Sequence, residues 1–80
     1  STDVNRPGLQ LAGFFDYFDN SRVQVMGKVE FSFLSRFTVE KRGVSVDKLF
    51  ATHFPALVVT RGLEPYAEML EAAKKHSIPI

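Results

Sequence analysis

The 80-residue sequence predicts a mixed α/β fold in which a sheet of few strands is covered by helices. Two segments carry that expectation. Ala56-Leu57-Val58-Val59-Thr60 is a short apolar run with β-branched residues, preceded by Pro55 and followed by Arg61-Gly62. That is the pattern of a central strand buried on both faces. Directly after it, Pro65 suits the first turn of a helix running to His76, since its fixed φ and missing N–H are tolerated there. Tyr66, Met69, Leu70 and Ala73 share one face of this helix. Glu68 and Glu71 come early and Lys74, Lys75 and His76 late, an order that complements the helix dipole. Glu71 also lies four residues before Lys75. Ser77-Ile78-Pro79-Ile80 then becomes extended and apolar, so strand, helix and strand form a βαβ unit with a parallel pair. The sequence stops where the second strand is expected to start, which reads as one domain cut from a larger protein.

The first half has weaker patterning. Arg6-Pro7-Gly8 signals a turn after Asp3-Val4-Asn5. Leu11, Phe14, Phe15 and Phe18 have helical spacing, so a helix is expected over residues 9–18 despite Gly13, which costs about 1 kcal/mol relative to Ala. Asp19-Asn20-Ser21 breaks it. Val23-Gln24-Val25 alternates like a strand and ends at Gly27. Val29, Phe33, Leu34 and Phe37 fit one helical face; Val29, Phe31 and Phe33 also fit a strand, and the helix is the reading adopted. Residues 40–43 are expected to be a charged loop, with Ser45 capping a short helix through Ala51 and Asp47 in its first turn.

Composition narrows the function classes. The hydrophobic share of 45%, with eight Phe, suffices for a packed core and excludes a disordered chain. A net charge of +1, with no polybasic arm and no aromatics interleaved among Lys and Arg, argues against nucleic acid. The absence of Cys excludes a disulfide scaffold and thiolate metal sites, and suits a reducing, cytoplasmic setting. No apolar run is long enough to span a membrane.

The chemistry-bearing motifs are sparse. Neither Gly-x-x-x-x-Gly-Lys-Ser/Thr nor Gly-x-Gly-x-x-Gly occurs. His53 and His76 stand without a spaced partner, so no metal site is expected. No Ser/His/Asp triad can be argued, and Asp16 and Asp19 read as a solvated helix end rather than an acid/base pair. No catalytic residue is therefore assigned. The Phe-rich stretch between Phe14 and Phe37 reads as core rather than a partner surface. One constellation stands out. Arg61, Gly62 and Glu64 come after the buried strand, just ahead of the Pro65 helix, and Asn5 and Arg6 end a neighbouring strand in the same way. Ligands of open α/β sheets bind at the carboxyl ends of strands, so Asn5, Arg6, Arg61 and Glu64 form a candidate site for a phosphate or carboxylate. The alternative is that Arg61 pins the turn by pairing with Glu64 or a loop carbonyl.

Three separated segments also resemble a known family. They run from Asp3 through Asn5-Arg6-Pro7-Gly8-Leu9-Gln10-Leu11-Ala12-Gly13 to Phe15, from Arg22 through Val23-Gln24-Val25-Met26 to Gly27, and from Val59 through Thr60-Arg61-Gly62-Leu63-Glu64 to Pro65, followed by Glu68-Met69-Leu70. Together they resemble the N-terminal domain of HPr kinase/phosphorylase; only residues 38–46 match poorly. The resemblance implies a parent enzyme that phosphorylates a serine of the phosphocarrier HPr with ATP or pyrophosphate, removes that phosphate by phosphorolysis, and acts in bacterial carbon catabolite regulation. It also implies that catalysis, nucleotide and Mg²⁺ belong to a separate P-loop domain that assembles as a hexamer. None of that domain's residues has a counterpart here. The fold so implied is a three-layer α/β domain with a small mixed or mostly parallel sheet, like the N-terminal domain of muramyl-peptide ligases, with at least one strand and one helix missing. The expected role is a non-catalytic domain for assembly or regulation; a phosphometabolite or nucleotide sensor and a plain protein-interaction domain are the alternatives.

Overall fold

Three parallel strands and four helices, two of them consecutive between the second and third strands, make up the fold in a computed structural model that describes residues 3–80. The strands are β1 (Val4–Asn5), β2 (Val23–Met26) and β3 (Leu57–Val59), in the order β1-β2-β3. The helices are α1 (Gly8–Leu11), α2 (Lys28–Leu34), α3 (Val39–Phe50) and α4 (Ala67–His76). This is the expected α/β class, consistent with a three-layer domain, and every strand pair is parallel.

The register aligns Val4 with Val23, Gln24 with Leu57 and Met26 with Val59. Because side chains alternate along a strand, Gln24, Met26 and Leu57 share one face, and all three are buried. Met26 and Leu57 join Leu34 of α2, Val46, Leu49 and Phe50 of α3 and Met69 and Ala72 of α4 in one core. The central strand is β2. The segment expected to hold that position, β3, has only β2 beside it as a strand, and Val58 on its other face is 47% exposed. Its apolar run therefore reflects β-branched strand residues and not burial on two sides. Along its outer edge the Leu57 N–H donates to the Pro79 carbonyl at 2.9 Å, although residues 77–80 form no strand.

Helix boundaries differ from expectation. The helix over residues 9–18 is only α1, because Gly13 is its terminator: φ is +100°, the Phe14 N–H reaches the Leu9 carbonyl, and the Gly13 N–H reaches the Gln10 carbonyl. That double closure is the Schellman motif, in which glycine accepts a left-handed backbone without penalty. Phe15 and Phe18 still pack edge-to-face, 5.9 Å apart, from the loop. Residues 40–43 are helical, not loop. Thr38 caps α3 by accepting the Lys41 N–H, whereas the Ser45 hydroxyl donates to the Leu11 carbonyl from within the helix. In α4 the first helical residue is Ala67, after Pro65 and Tyr66, and Leu70 is exposed while Met69 and Ala72 are buried. The helix expected to align Val29, Phe33, Leu34 and Phe37 forms as α2 but ends at Leu34, short of Phe37, and its buried residues are Glu30, Phe31 and Leu34 while Val29 is exposed. Arg42 joins the helical layer: it pairs with Glu68, donates to the Leu34 carbonyl at 3.1 Å, and lies 4.2 Å over the Tyr66 ring, which itself stacks on Phe31. No helix among the described residues is long and apolar enough to cross a membrane.

Candidate functional site

Parallel strands bring all their carboxyl ends to one edge of a sheet. Here that edge holds Arg6 after β1, Gly27 and Lys28 after β2, and Thr60 and Arg61 after β3. With Val29 they line an open cavity of about 390 Å³. Of the four residues expected in a site, the structure brings Arg6 and Arg61 together. Asn5 and Glu64 lie outside the cavity. The Asn5 side-chain amide donates to Gln24 (2.7 Å) and Gln10 (3.2 Å), so it ties β1 to the buried Gln24. Glu64 is exposed, and no pair between Arg61 and Glu64 is present among the described residues. The helix that starts beside the cavity is α2, not the helix after Pro65.

Arg6 is positioned by Glu30, a side chain that sequence reasoning missed. Arg6 Nε and Nη2 donate to the two Glu30 oxygens at 3.2 and 2.8 Å, the bidentate fork geometry of a guanidinium on a carboxylate. Glu30 is 4% exposed, and its Oε1 also accepts the Gly27 N–H at 2.7 Å, reaching back to cap α2. Burial pushes the Glu30 carboxyl upward, but the bonds from Arg6 and the Gly27 N–H outweigh it and hold the group below its ordinary value. Gly27 leaves room for its neighbours: a Cβ there would lie 2.7 Å from Arg6 Nη2 and 2.9 Å from Thr60 Oγ1 and would displace them. Thr60 is fixed by its N–H, which donates to the Met26 carbonyl at 3.1 Å.

The opposite wall is a tight turn. Arg61 and Gly62 have φ of 58° and 64°, and the Leu63 N–H closes on the Thr60 carbonyl at 3.2 Å. Positive φ at both central positions is the mark of a type I′ turn, where a non-glycine residue is uncommon. The side chains of Lys28 and Arg61 make no hydrogen bond or ion pair among the described residues. The cavity thus gathers three cations against one buried carboxylate, an arrangement suited to an anion. Lys28, Thr60 and Glu30 complete it without having been expected. The local signal available for Glu30 is its spacing, three residues after the strand-ending Gly27.

The remaining chemical groups serve other ends. His53 and His76, expected to stand apart, meet with ring centroids 5.6 Å apart. His76 Nε2 lies 2.8 Å from Asp47 Oδ1, which also receives Lys75, so α3 and α4 are clasped there. His76 and Lys75 hold the Asp47 carboxyl below its ordinary range. No cluster of three or more metal-ligating side chains occurs among the described residues. Asp19 accepts both the N–H and the hydroxyl of Ser21, closing a turn beside Arg22. A second cavity of about 320 Å³, between α1, α2 and α3, is lined by Leu11, Phe33, Phe37 and Val44 with Lys41 and Lys48. Ser45 also lines it, with its hydroxyl donating to the Leu11 carbonyl.

The sequence model of the family described as "HPr Serine kinase N terminus" matches residues 1–80. Among curated relatives, the HPr kinase/phosphorylase of Clostridium beijerinckii is 53% identical over 76 residues, covering 95% of this chain and 25% of the relative. That of Clostridium acetobutylicum is 49% identical over 76 residues, with the same coverage. That of Leptospira biflexa is 44% identical over 80 residues, covering 100% of this chain and 25% of the relative. The chain therefore spans about a quarter of the length of the curated relatives it matches.

Proposed function

The chain belongs to the HPr serine kinase N-terminal family, and from that premise we propose that it serves a longer HPr kinase/phosphorylase as a non-catalytic domain. The observation that carries this reading is that the family match spans residues 1–80 while the chain covers only 25% of the relatives' length. The side chains agree with it. Phosphoryl transfer requires a phosphate-cradling loop, groups to hold Mg²⁺ and a residue to orient the nucleophile. The cavity at the carboxyl ends of the strands offers Arg6, Lys28, Thr60 and Arg61, and the carboxylate beside it, Glu30, is held by Arg6 and the Gly27 N–H.

On this reading the parent acts in the cytoplasm on a serine of HPr, with ATP or pyrophosphate and Mg²⁺ held by parts of the enzyme outside this chain. The domain contributes to assembly of the parent, a hexamer in the family resemblance, or to its regulation. Incubating the chain with HPr and ATP·Mg²⁺, then with HPr and pyrophosphate, tests the non-catalytic role. Intact-mass analysis is expected to show unmodified HPr throughout. Stoichiometric phosphorylation of HPr by the chain alone would overturn it.

A further inference from the structure

We propose that the cleft at the carboxyl ends of the three strands binds the phosphoryl group of a small phosphorylated metabolite, with Arg6, Lys28 and Arg61 as cationic contacts and, as a neutral donor, the Thr60 hydroxyl, whose own bond to the Met26 carbonyl is long at 3.5 Å. The inference goes beyond the family reading and stands or falls apart from it.

Arg6 is the pre-organised contact. Its fork is held edge-on by the buried Glu30 through Nε and one N–H of Nη2, while the side chain is 53% exposed. Both N–H groups of Nη1 and the second of Nη2 remain to donate. A buried carboxylate that fixes the plane of an exposed arginine supplies the rigidity that recognition of a planar or tetrahedral oxyanion needs. Arg61 adds a second, independent indication. It occupies a left-handed position that glycine or asparagine fits more readily, and its guanidinium has no partner among the described residues. A turn-forming role alone gives no reason for arginine there. Strained backbone of this kind clusters at ligand sites. Lys28 has no partner among the described residues either, and it lines the same cavity.

The floor of the cleft is bare backbone, because any side chain at position 27 would collide with Arg6 and Thr60. The volume of about 390 Å³ lies within the range of small-molecule sites. Val29, 72% exposed at its rim, offers apolar surface to a carbon skeleton. Three cations match a phosphate monoester, which carries close to two charges and three terminal oxygens, better than a carboxylate. No aromatic ring lines the cleft and the chain carries a net charge of only +1, so a nucleic-acid strand is not the fitting occupant.

The test is a titration of the ¹⁵N-labelled chain at constant ionic strength with inorganic phosphate, glycerol 3-phosphate, a short phosphoserine peptide, and acetate and chloride as controls. Saturable amide shifts confined to residues 6, 27–29 and 60–62 are expected with phosphate and glycerol 3-phosphate, and glycerol 3-phosphate is expected to bind about tenfold more tightly than acetate. Arg61→Ala and Lys28→Ala should each weaken that binding about tenfold, the effect of one lost charge-assisted contact, while the rest of the spectrum stays in place. These two variants carry the test because Arg6→Ala leaves Glu30 buried and unpaired. Shifts scattered over Lys41, Lys48 and Lys74, equal saturation by chloride, or binding indifferent to both variants would overturn the site. Tighter binding of the phosphoserine peptide, with shifts extending beyond the cleft, would overturn the small-metabolite assignment in favour of a phosphorylated protein.

Discussion

Replacing Glu30 by Gln removes one charge while nearly preserving shape, and its cost can be worked from the hydrogen bonds that Glu30 makes. The carboxylate accepts three bonds, two from Arg6 and one from the Gly27 N–H, at 4% exposure. An amide keeps one acceptor oxygen and turns an NH₂ group toward either Arg6 or the Gly27 N–H. One or two hydrogen bonds to a charged group are therefore lost, each contributing about 1.5–3 kcal/mol. Because the Arg6 side chain is 53% exposed and water recovers part of its solvation, the lower end applies. Glu30→Gln should cost about 2 kcal/mol, which in a domain of this size lowers Tm by roughly 8–16 °C. The pH dependence gives a second check. The Glu30 carboxyl is held below the ordinary glutamate value of 4.5, so its contribution is complete above that pH and is lost as pH falls through the lower folded value. Denaturant melts of wild type and variant should differ at pH 7 and converge under acid conditions. A difference below about 0.5 kcal/mol at pH 7, the range of ordinary surface substitutions, or one that persists unchanged into acid, refutes the account of Arg6 as a residue positioned by a buried anion.

Two substitutions test the fold directly. Gly43 lies within α3, and a Cβ there would meet nothing closer than Glu68 Cγ at 3.8 Å; Gly43→Ala should raise stability by about 0.5–1 kcal/mol, read as an increase in the urea midpoint. Val58→Asp should cost no more than about 1 kcal/mol in the same assay, since the side chain is 47% exposed on β3, whereas loss of cooperative unfolding would place Val58 in the core after all.

Local signals carry much of the architecture. The strand 23–26 shows in the alternation of Val23-Gln24-Val25, and α4 shows in its apolar spacing and charge order, because both are encoded within a few neighbouring residues. Gly13 misleads because a glycine inside a helical pattern and a glycine closing a Schellman turn look alike until the Phe14 N–H is seen to return to Leu9. The start of α3 is hidden because Glu40, Lys41, Arg42 and Gly43 resemble a loop, although Thr38 is available as a cap. The exposure of Val58 depends on which strands lie beside β3 and on what covers its outer face, and neither is written in the strand itself. For the site, Arg6 and Arg61 are found by the rule that parallel strands deliver ligands to their carboxyl ends. Lys28 and Thr60 join them only once the register of β1, β2 and β3 is known. The meeting of His53 with His76, on a loop and a helix distant in sequence, has no local signal at all.

The domain reading is tested most directly in a relative that contains the whole enzyme. In the Clostridium beijerinckii HPr kinase/phosphorylase, of which this chain matches 25% of the length, deletion of the matched segment can be followed by kcat for HPr phosphorylation, with circular dichroism and light scattering to check folding and assembly. A domain that supplies no catalytic group should leave kcat of the folded, assembled remainder within about tenfold of the intact enzyme, the range of a positioning effect, since a lost catalytic group costs roughly 10²-fold or more. A folded and assembled remainder whose kcat falls to background would contradict the account.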